Sequence, residues 1–277
     1  MRAGEREVEG NPRCRYSSDL PISRSPVKFS VIIPARYASS RFPGKPLADL
    51  GGKPMVVRVA ECARASGAAE VLIATDHKGI AATAARHGYE AVMTKASHAS
   101  GTDRLAEVAA RRRYRASHIV VNIQGDEPQI DPVLIRQVAM SLARRHEAHM
   151  ATAAHPIRDA REFVSPHVVK VVLDDNGYAL YFSRALIPYA RDAFARGIGR
   201  VPPGLPAYRH LGIYAYRAGF LRRFTHLAPA AIERFEALEQ QRALAHGYRI
   251  AVVVTRRAPH PGVDTPADLQ RVRRLFK

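Results

Sequence analysis

The sequence predicts an α/β protein whose central sheet is mostly parallel, with helices on both faces. From residue 29 onward, short apolar runs alternate with longer helical patterns, which is typical of right-handed strand–helix–strand crossovers. The apolar runs are nearly continuous, as in strands buried on both faces of a parallel sheet. Later in the chain, strand patterns around a turn signal indicate an antiparallel insert.

The first half of this region pairs each strand with a following helix. The predicted strands are FSVII, VLIATD, YEAVMT and HIVVNIQ, and the predicted helices are PMVVRVAECARASG, HKGIAATAARHG, TDRLAEVAARRRY and DPVLIRQVAMSLARRH. Gly67 and Gly88 end the first two helices, because glycine readily adopts the left-handed backbone that closes a helix. Pro132 lies in the first turn of the fourth helix, where its missing N–H is tolerated.

After residue 150 the pattern changes. The segment VVKVVLDDNGYALYFSR contains two strand-like runs around Asp175-Asn176-Gly177, which is a hairpin signal. The remaining predicted elements are the strand RHLGIYAY, one long helix PAAIERFEALEQQRALAHG, the strand YRIAVVVT and the helix DTPADLQRVRRLF. Thr265 is expected to cap the last helix, with Pro266 at its first position.

The length allows one large domain or two small ones. The element pattern favours one domain of residues 28–277, with the antiparallel insert at about residues 150–220, and the composition is that of a soluble protein. Residues 1–27 mix both charge signs with serine, proline and glycine, and we expect a disordered leader there, the alternative being a mis-called start codon. No apolar run approaches the ~20 residues that cross a bilayer. Cys14 and Cys62 make neither a disulfide framework nor a metal site. With no secretory signal pattern either, these features favour the cytoplasm.

The formal net charge of +18 indicates an anionic partner. The basic residues are scattered over helical patterns, without zinc-ligand spacing or an RNA-binding aromatic motif. A nucleic-acid role is therefore not expected. An arginine-rich surface around a polyphosphate site is the preferred interpretation.

The loop after the first strand has the composition of a phosphate-binding segment. Arg36, Arg41 and Lys45 stand within PARYASSRFPGKPL, together with prolines that stiffen the loop. The segment is not a P-loop, because Gly44-Lys45 is followed by proline and no glycine precedes it at the required spacing. A solvated lysine is the alternative interpretation for a single loop cation.

Acidic residues follow several of the predicted strands. Asp76 follows the second strand, Asp126 follows HIVVNIQ, and Asp264 precedes the last helix. Ligands of open parallel sheets bind beyond the carboxyl ends of the strands, and Mg²⁺ takes one or two protein carboxylates plus phosphate oxygens. We therefore predict that Asp126 and Asp264 hold Mg²⁺. The alternative is that Asp126 begins a turn and Asp264 caps a helix.

A series of short blocks carries a family resemblance over about residues 29–277. The blocks are PARYASSRFPGKPL, SHASGTDRLAE, NIQGDEP, YFSRALIP, RHLGIYAYR and GVDTPADL. In this order they resemble the 3-deoxy-manno-octulosonate (Kdo) cytidylyltransferase family. The resemblance implies a Rossmann-like nucleotidyltransferase fold and a Mg²⁺-dependent reaction of CTP with Kdo, giving CMP-Kdo and pyrophosphate for lipopolysaccharide biosynthesis. It also implies a cytoplasmic homodimer that associates through the insert.

The resemblance assigns roles to individual residues. It implies that Arg36, Arg41 and Lys45 hold the triphosphate, with Lys45, Arg36 and Asp126 as catalytic residues. The residues that it implies for cytosine and ribose are Ser100, Gly101, Thr102 and Arg104. Those that it implies for the sugar acid are Gln124, Arg184, His210, Tyr214 and Glu239. From the sequence pattern alone, the SGTDR segment is a helix start with a capping threonine, and Glu239 is an exposed helix charge.

Two other functions remain open from the sequence. One is cytidylyl transfer to another acidic sugar, such as a sialic acid or an 8-amino Kdo. The other is non-catalytic polyanion binding through the positive charge, which would weaken steeply with salt.

Overall fold

The computed structural model describes residues 27–38 and 42–276. The predicted leader, residues 1–27, lies outside the described residues except for Val27, and so does Arg41. The disorder predicted for the leader therefore stays a prediction.

A single nine-stranded sheet forms the centre of the molecule, with the order β3-β2-β1-β4-β8-β5-β9 and a β6–β7 hairpin attached through β6 to β8. The strands are β1 Phe29–Ala35, β2 Glu70–Thr75, β3 Glu90–Met93, β4 Ile119–Asn122, β5 Ala148–Pro156, β6 Lys170–Leu173, β7 Ala179–Ser183, β8 Tyr208–Arg217 and β9 Arg249–Val254. Strands β1 to β4 pair in parallel, as do β5 and β9. Strand β8 runs antiparallel to β4, β5 and β6.

Helices cover both faces of the sheet, which confirms the predicted α/β class. The helices are α1 Met55–Ala65, α2 Lys78–Arg86, α3 Gly101–Arg111, α4 Pro132–Arg144, α5 Ala160–Val164, α6 Ala218–Phe224, α7 Ala231–Glu236, α8 Gln240–Ala245 and α9 Pro266–Arg273. Side chains of α1, α2 and α4 belong to one buried apolar cluster, and those of α3, α6 and α8 belong to another on the opposite face. Within the described ranges, none of the helices is long and apolar enough to cross a membrane.

The predicted end signals of α1 and α2 and the predicted start signals of α4 and α9 are found where the sequence places them. Gly67 and Gly88 follow α1 and α2 with φ of 79° and 72°. Pro132 begins α4, and the Thr265 side chain caps α9 by accepting a hydrogen bond from the Asp268 N–H. These local signals are reliable because the backbone geometry they satisfy is itself local.

The sequence pattern does not predict β5, α5 or α6. Strand β5 reads AHMATAAHP, in which alanine and histidine give little β preference. It is a strand because it lies between β8 and β9, and the side chains of Met150, Ala151, Ala153 and Ala154 are buried there. Burial between neighbouring strands therefore overrides local propensity.

The long helix predicted over residues 229–247 is wrong. The chain forms two short helices, α7 and α8, which are separated at Ala237 with φ 52° and ψ 48°. Leu238 is buried at this break, and its N–H donates to the Glu233 carbonyl. The break is invisible in the sequence because alanine is the strongest helix former.

Replacing Ala237 with glycine should stabilise the protein. A left-handed conformation costs an L-residue roughly 1–2 kcal/mol, which glycine avoids. After the greater entropy loss of glycine, we expect Ala237→Gly to raise the free energy of unfolding by about 0.5 kcal/mol in urea titrations. The matched control is Ala245→Gly, an exposed helical alanine of α8, which should lower stability. A decrease of equal size in both variants would contradict the assigned backbone conformation.

Candidate active site

Two acidic residues from distant parts of the chain meet one lysine at the edge of the sheet. The Lys45 ammonium lies 2.6 Å from Asp126 Oδ2 and 3.7 Å from Asp264 Oδ1. Lys45 follows β1, Asp126 follows β4, and Asp264 lies between β9 and α9. The structure thus brings together Asp126, Asp264 and Lys45, as the sequence predicts for a shared site.

Backbone contacts hold the two acidic segments side by side. The Val263 N–H donates to the Asp126 carbonyl at 2.9 Å. At Gly262, a β-carbon would lie 3.4 Å from the same carbonyl oxygen. At Gly125, a β-carbon would lie 3.0 Å from the Pro34 carbonyl oxygen. Gly125 therefore permits the Asp126 segment to lie close to the end of β1, and the Val263 hydrogen bond holds the Asp264 segment beside it.

The glycine-proline loop turns sharply before Lys45. Gly44 has φ 72°, and its N–H donates to the Tyr37 carbonyl at 3.0 Å. The Tyr37 ring stacks on the His77 ring, with 4.1 Å between centroids, which ties this loop to the one after β2. Residues Lys45–Leu47 then form a short 3-10 helix. Arg36 directly follows β1 and is half-buried, so it lies at the same edge of the sheet.

The start of α3 faces the start of α8. The cap of α3 is Ser100, not the threonine of the SGTDR segment, because Ser100 and Asp103 form a reciprocal capping box. The Thr102 hydroxyl instead donates to Glu239 Oε2 at 2.6 Å. The prediction that Glu239 is an exposed helix charge is also wrong, because the residue is half-buried and burial raises the pKa of its carboxyl. The segments predicted to bind nucleotide and sugar are thus in direct contact.

The guanidinium of Arg104 is directed into the protein. It is fully buried, donates to Asp76 Oδ2 at 2.8 Å and also contacts the Thr94 hydroxyl. These bonds fix α3 to the ends of β2 and β3, so Asp76 has a partner within the protein. Direct recognition of the nucleotide by Arg104 stays a prediction, as it does for Ser100 and Gly101 at the helix start.

His210 and Tyr214 lie together on β8. The His210 Nε2 is 3.0 Å from the Thr152 hydroxyl, and its ring centroid is 5.4 Å from that of Tyr214. Burial lowers the pKa of His210 to about 3, so the imidazole is neutral at physiological pH. The Tyr214 hydroxyl donates to Gln240 Oε1 at 3.2 Å, and burial raises its pKa.

Arg184 makes its contacts at a different position from His210. Its Nε donates to the Glu236 carbonyl at 2.8 Å, and another guanidinium nitrogen donates to the Pro166 carbonyl at 3.0 Å. The residue that contacts His210 from this segment is Phe182, two positions before Arg184, whose ring centroid is 5.0 Å from that of His210. The predicted contact of Arg184 with a substrate carboxylate therefore competes with these backbone bonds.

Gln124 lies between β4 and Asp126. It is half-buried, and its backbone carbonyl accepts a hydrogen bond from the Glu127 N–H at 3.3 Å. This position places it beside the carboxylates at the edge of the sheet. Its predicted contact with the sugar stays a prediction.

Two glutamates that lie beside predicted site residues are not among the residues that the sequence predicts for the site. Glu127 lines a cavity of about 120 Å³ together with Arg209 and His210, and burial, aided by the neighbouring Asp126 charge, raises its pKa to about 7. Glu236 accepts hydrogen bonds from the Ser183 hydroxyl and the Arg184 N–H. The GDEP block gave a signal for Glu127, but the helical pattern gave none for Glu236.

The buried ion pair of Arg104 gives a test of stability. Asp76→Ala leaves the buried guanidinium without its carboxylate, so we expect the free energy of unfolding to fall by about 3 kcal/mol. Adding Arg104→Met removes the orphaned charge, and the double variant should lose clearly less than the sum of the two single losses. Urea unfolding of all three variants measures this, and additive losses would show that the two residues do not interact.

Comparisons with known proteins assign the family. A model of the cytidylyltransferase family matches residues 30–250. The structure of CMP:2-keto-3-deoxy-manno-octonic acid synthetase complexed with CTP is 42% identical, covers 90% of this chain and 98% of that chain, and superposes with a TM-score of 0.81.

More distant structures share the fold alone. A cytidylyltransferase from Leptospira borgpetersenii is 15% identical, with a TM-score of 0.58 over 89% of this chain and 85% of that chain. A nucleotidyl transferase from Methanothermobacter is 18% identical, with a TM-score of 0.54 over 90% and 97%. The edge of the sheet that carries Lys45, Asp126 and Asp264 therefore belongs to a nucleotidyltransferase scaffold, and the chain is a member of the cytidylyltransferase family.

Proposed function

We propose that the protein transfers CMP from CTP to Kdo, giving CMP-Kdo and pyrophosphate. The 42% identity to a Kdo-activating synthetase complexed with CTP, over 90% of this chain, supports the substrate pair. The observation that carries the proposal is the meeting of Lys45, Asp126 and Asp264 at one edge of the sheet. Such a set of one cation and two carboxylates suits a polyphosphate substrate that binds with a divalent metal.

In the reaction, a Kdo hydroxyl oxygen bonds to the α-phosphorus of CTP. The bond from that phosphorus to the bridging oxygen breaks, pyrophosphate leaves, and the hydroxyl proton passes to solvent. Negative charge increases on the departing pyrophosphate, so Arg36, Arg41 and Lys45 stabilise it electrostatically. Their placement after β1 is the feature that supports this role for Arg36 and Lys45.

Asp126 and Asp264 are the proposed ligands of Mg²⁺. Their fit is supported by the Lys45 ammonium, a cation that both carboxylates already contact. Within the described ranges no group of three or more histidine, cysteine, aspartate or glutamate side chains could hold a metal. Two carboxylates suffice for Mg²⁺ when phosphate and water oxygens complete its shell. The metal would neutralise triphosphate charge and polarise the reacting phosphate.

The proposed binding site for the sugar acid is formed by residues of β8, of the segments after β4 and β7, and of the start of α8. Neutral His210, Tyr214 and Gln124 offer hydrogen bonds to sugar hydroxyls, and Arg184 offers a cation to the sugar carboxylate. The Glu239 carboxylate already binds Thr102. This bond supports a role in aligning the sugar with the nucleotide, because it joins the two proposed binding segments.

We also infer a homodimer that associates through the antiparallel insert. Leu180 of β7 and Tyr189 are large apolar side chains of the insert that are 60% and 58% exposed, and Phe235 of α7 is 92% exposed. Exposed apolar groups of this size are often covered by a partner. A cytoplasmic role in lipopolysaccharide biosynthesis is part of the same proposal.

Pyrophosphate release from each of the four nucleoside triphosphates tests the function. With Mg²⁺ and Kdo present, we expect release from CTP, and little release from CTP without the sugar. A sialic acid and an 8-amino Kdo serve as alternative acceptors. Preference for one of these would reassign the sugar. No transfer from CTP, together with salt-sensitive nucleic-acid binding, would support the non-catalytic function instead.

The shared metal site predicts non-additive losses. Asn is nearly isosteric with Asp but neutral, so Asp126→Asn and Asp264→Asn should each raise the Mg²⁺ concentration needed for half-maximal turnover while preserving the fold. If both act on one ion, the double variant should lose little more than the worse single variant. Melting curves serve as the folding control. Strictly additive losses, or normal Mg²⁺ dependence in Asp264→Asn, would falsify the shared site.

A further inference from the structure

The position of the Lys45 ammonium has a consequence for metal binding. Its Nζ forms a charge-assisted hydrogen bond with Asp126 at 2.6 Å and a longer ion pair with Asp264 at 3.7 Å. The lysine side chain is only 13% exposed. The ammonium thus occupies the space between the two carboxylates, partly shielded from water.

A tight turn holds the backbone at Lys45, so the side chain is the part that can move away from the two carboxylates. Gly44 precedes it in the left-handed conformation and buried Pro46 follows it. The Ala48 N–H donates to the Lys45 carbonyl at 3.1 Å. The long lysine side chain has enough rotatable bonds to direct the ammonium elsewhere without moving this turn.

Electrostatic repulsion disfavours simultaneous binding of the Lys45 ammonium and a divalent ion to the same two carboxylates. The two carboxylates carry two negative charges, which a divalent ion balances by itself. With Lys45 still between them, an added metal would meet a positive neighbour within a few ångströms, and such repulsion is strong where water is partly excluded. We therefore expect the metal to bind the two carboxylates only when the Lys45 ammonium breaks its ion pairs with them.

We propose that Lys45 is an internal counter-ion that competes with the divalent metal for Asp126 and Asp264. This inference rests on the proposed metal site and on the proposed use of CTP. When the metal binds the carboxylates, the ammonium loses these two anionic partners. It then pairs with the triphosphate, whose negative charge replaces that of the carboxylates. Lys45 thus weakens metal binding to the nucleotide-free protein and couples metal entry to nucleotide entry.

Mn²⁺ binding to the nucleotide-free protein tests the competition. Free Mn²⁺ is counted by electron paramagnetic resonance for the wild type and for Lys45→Met. Removing one charge-assisted hydrogen bond should tighten Mn²⁺ binding by about ten- to a hundred-fold. The same substitution should weaken the use of CTP, so the two effects have opposite signs.

Lys53→Met is the matched control. Lys53 follows Lys45 by eight positions in the sequence, and its ammonium pairs with Glu61 of α1. The control loses the same charge from the protein, and we expect its Mn²⁺ affinity to equal that of the wild type. Adding Asp126→Asn to Lys45→Met should abolish the tightening, which assigns the bound ion to this site.

The outcomes separate this inference from the proposed function. Unchanged Mn²⁺ affinity in folded Lys45→Met, or equal tightening in Lys53→Met, overturns the counter-ion role even if the wild type makes CMP-Kdo. Tightening confined to Lys45→Met supports the role even if the wild type transfers no CMP, which would refute only the proposed function. Melting curves establish folding, and Lys45→Gln replaces the methionine variant if that variant does not fold.

Discussion

Two like-charged carboxylates are held together by the backbone, and the rest of the site is built around this constraint. The Val263 N–H binds the Asp126 carbonyl directly, so Asp264, the next residue, cannot move far from Asp126. Repulsion between the two carboxylates has to be balanced by a cation at that position. Lys45 supplies one, and its loop of glycine and proline keeps the lysine within reach.

The reversed strand β8 explains how the sugar-side residues reach the same edge. In a parallel sheet, the carboxyl ends of the strands form the binding edge. Because β8 runs antiparallel between β4 and β5, its beginning lies at that edge. His210, near the start of β8, pairs with Ala154 near the end of β5. One reversed strand thus adds residues from the middle of the chain to a site whose other members follow β1, β4 and β9.

The sequence predicts features that depend on local chemistry. Glycine and proline signals place the ends of α1 and α2 and the starts of α4 and α9, and acidic residues beyond apolar strands indicate the edge of the sheet where Asp126 and Asp264 meet. It fails where distant packing decides the outcome. Ala237 breaks a helix against its own propensity, and Arg104 is directed inward because Asp76 lies beneath it. Glu239 has the pattern of a surface charge, yet it meets Thr102 from a distant helix. The residues next to Ala237, Arg104 and Glu239 in the sequence do not indicate which distant residues these three contact in the fold.

The positive charge of the chain has a structural explanation that does not require nucleic acid. Many arginines bind backbone carbonyls, which attract cations most strongly at helix ends. Arg217 binds the carbonyls of Leu142, Arg145 and Ala148 around the end of α4. Arg64 binds the carbonyl of Gly88 beyond the end of α2. These two arginines lie on different elements of the fold and bind neutral carbonyl oxygens, so each adds net charge to the chain while serving a structural role. Among the cations of the proposed chemistry, Lys45 also pairs with two carboxylates, and we propose that it exchanges them for the triphosphate when a metal binds.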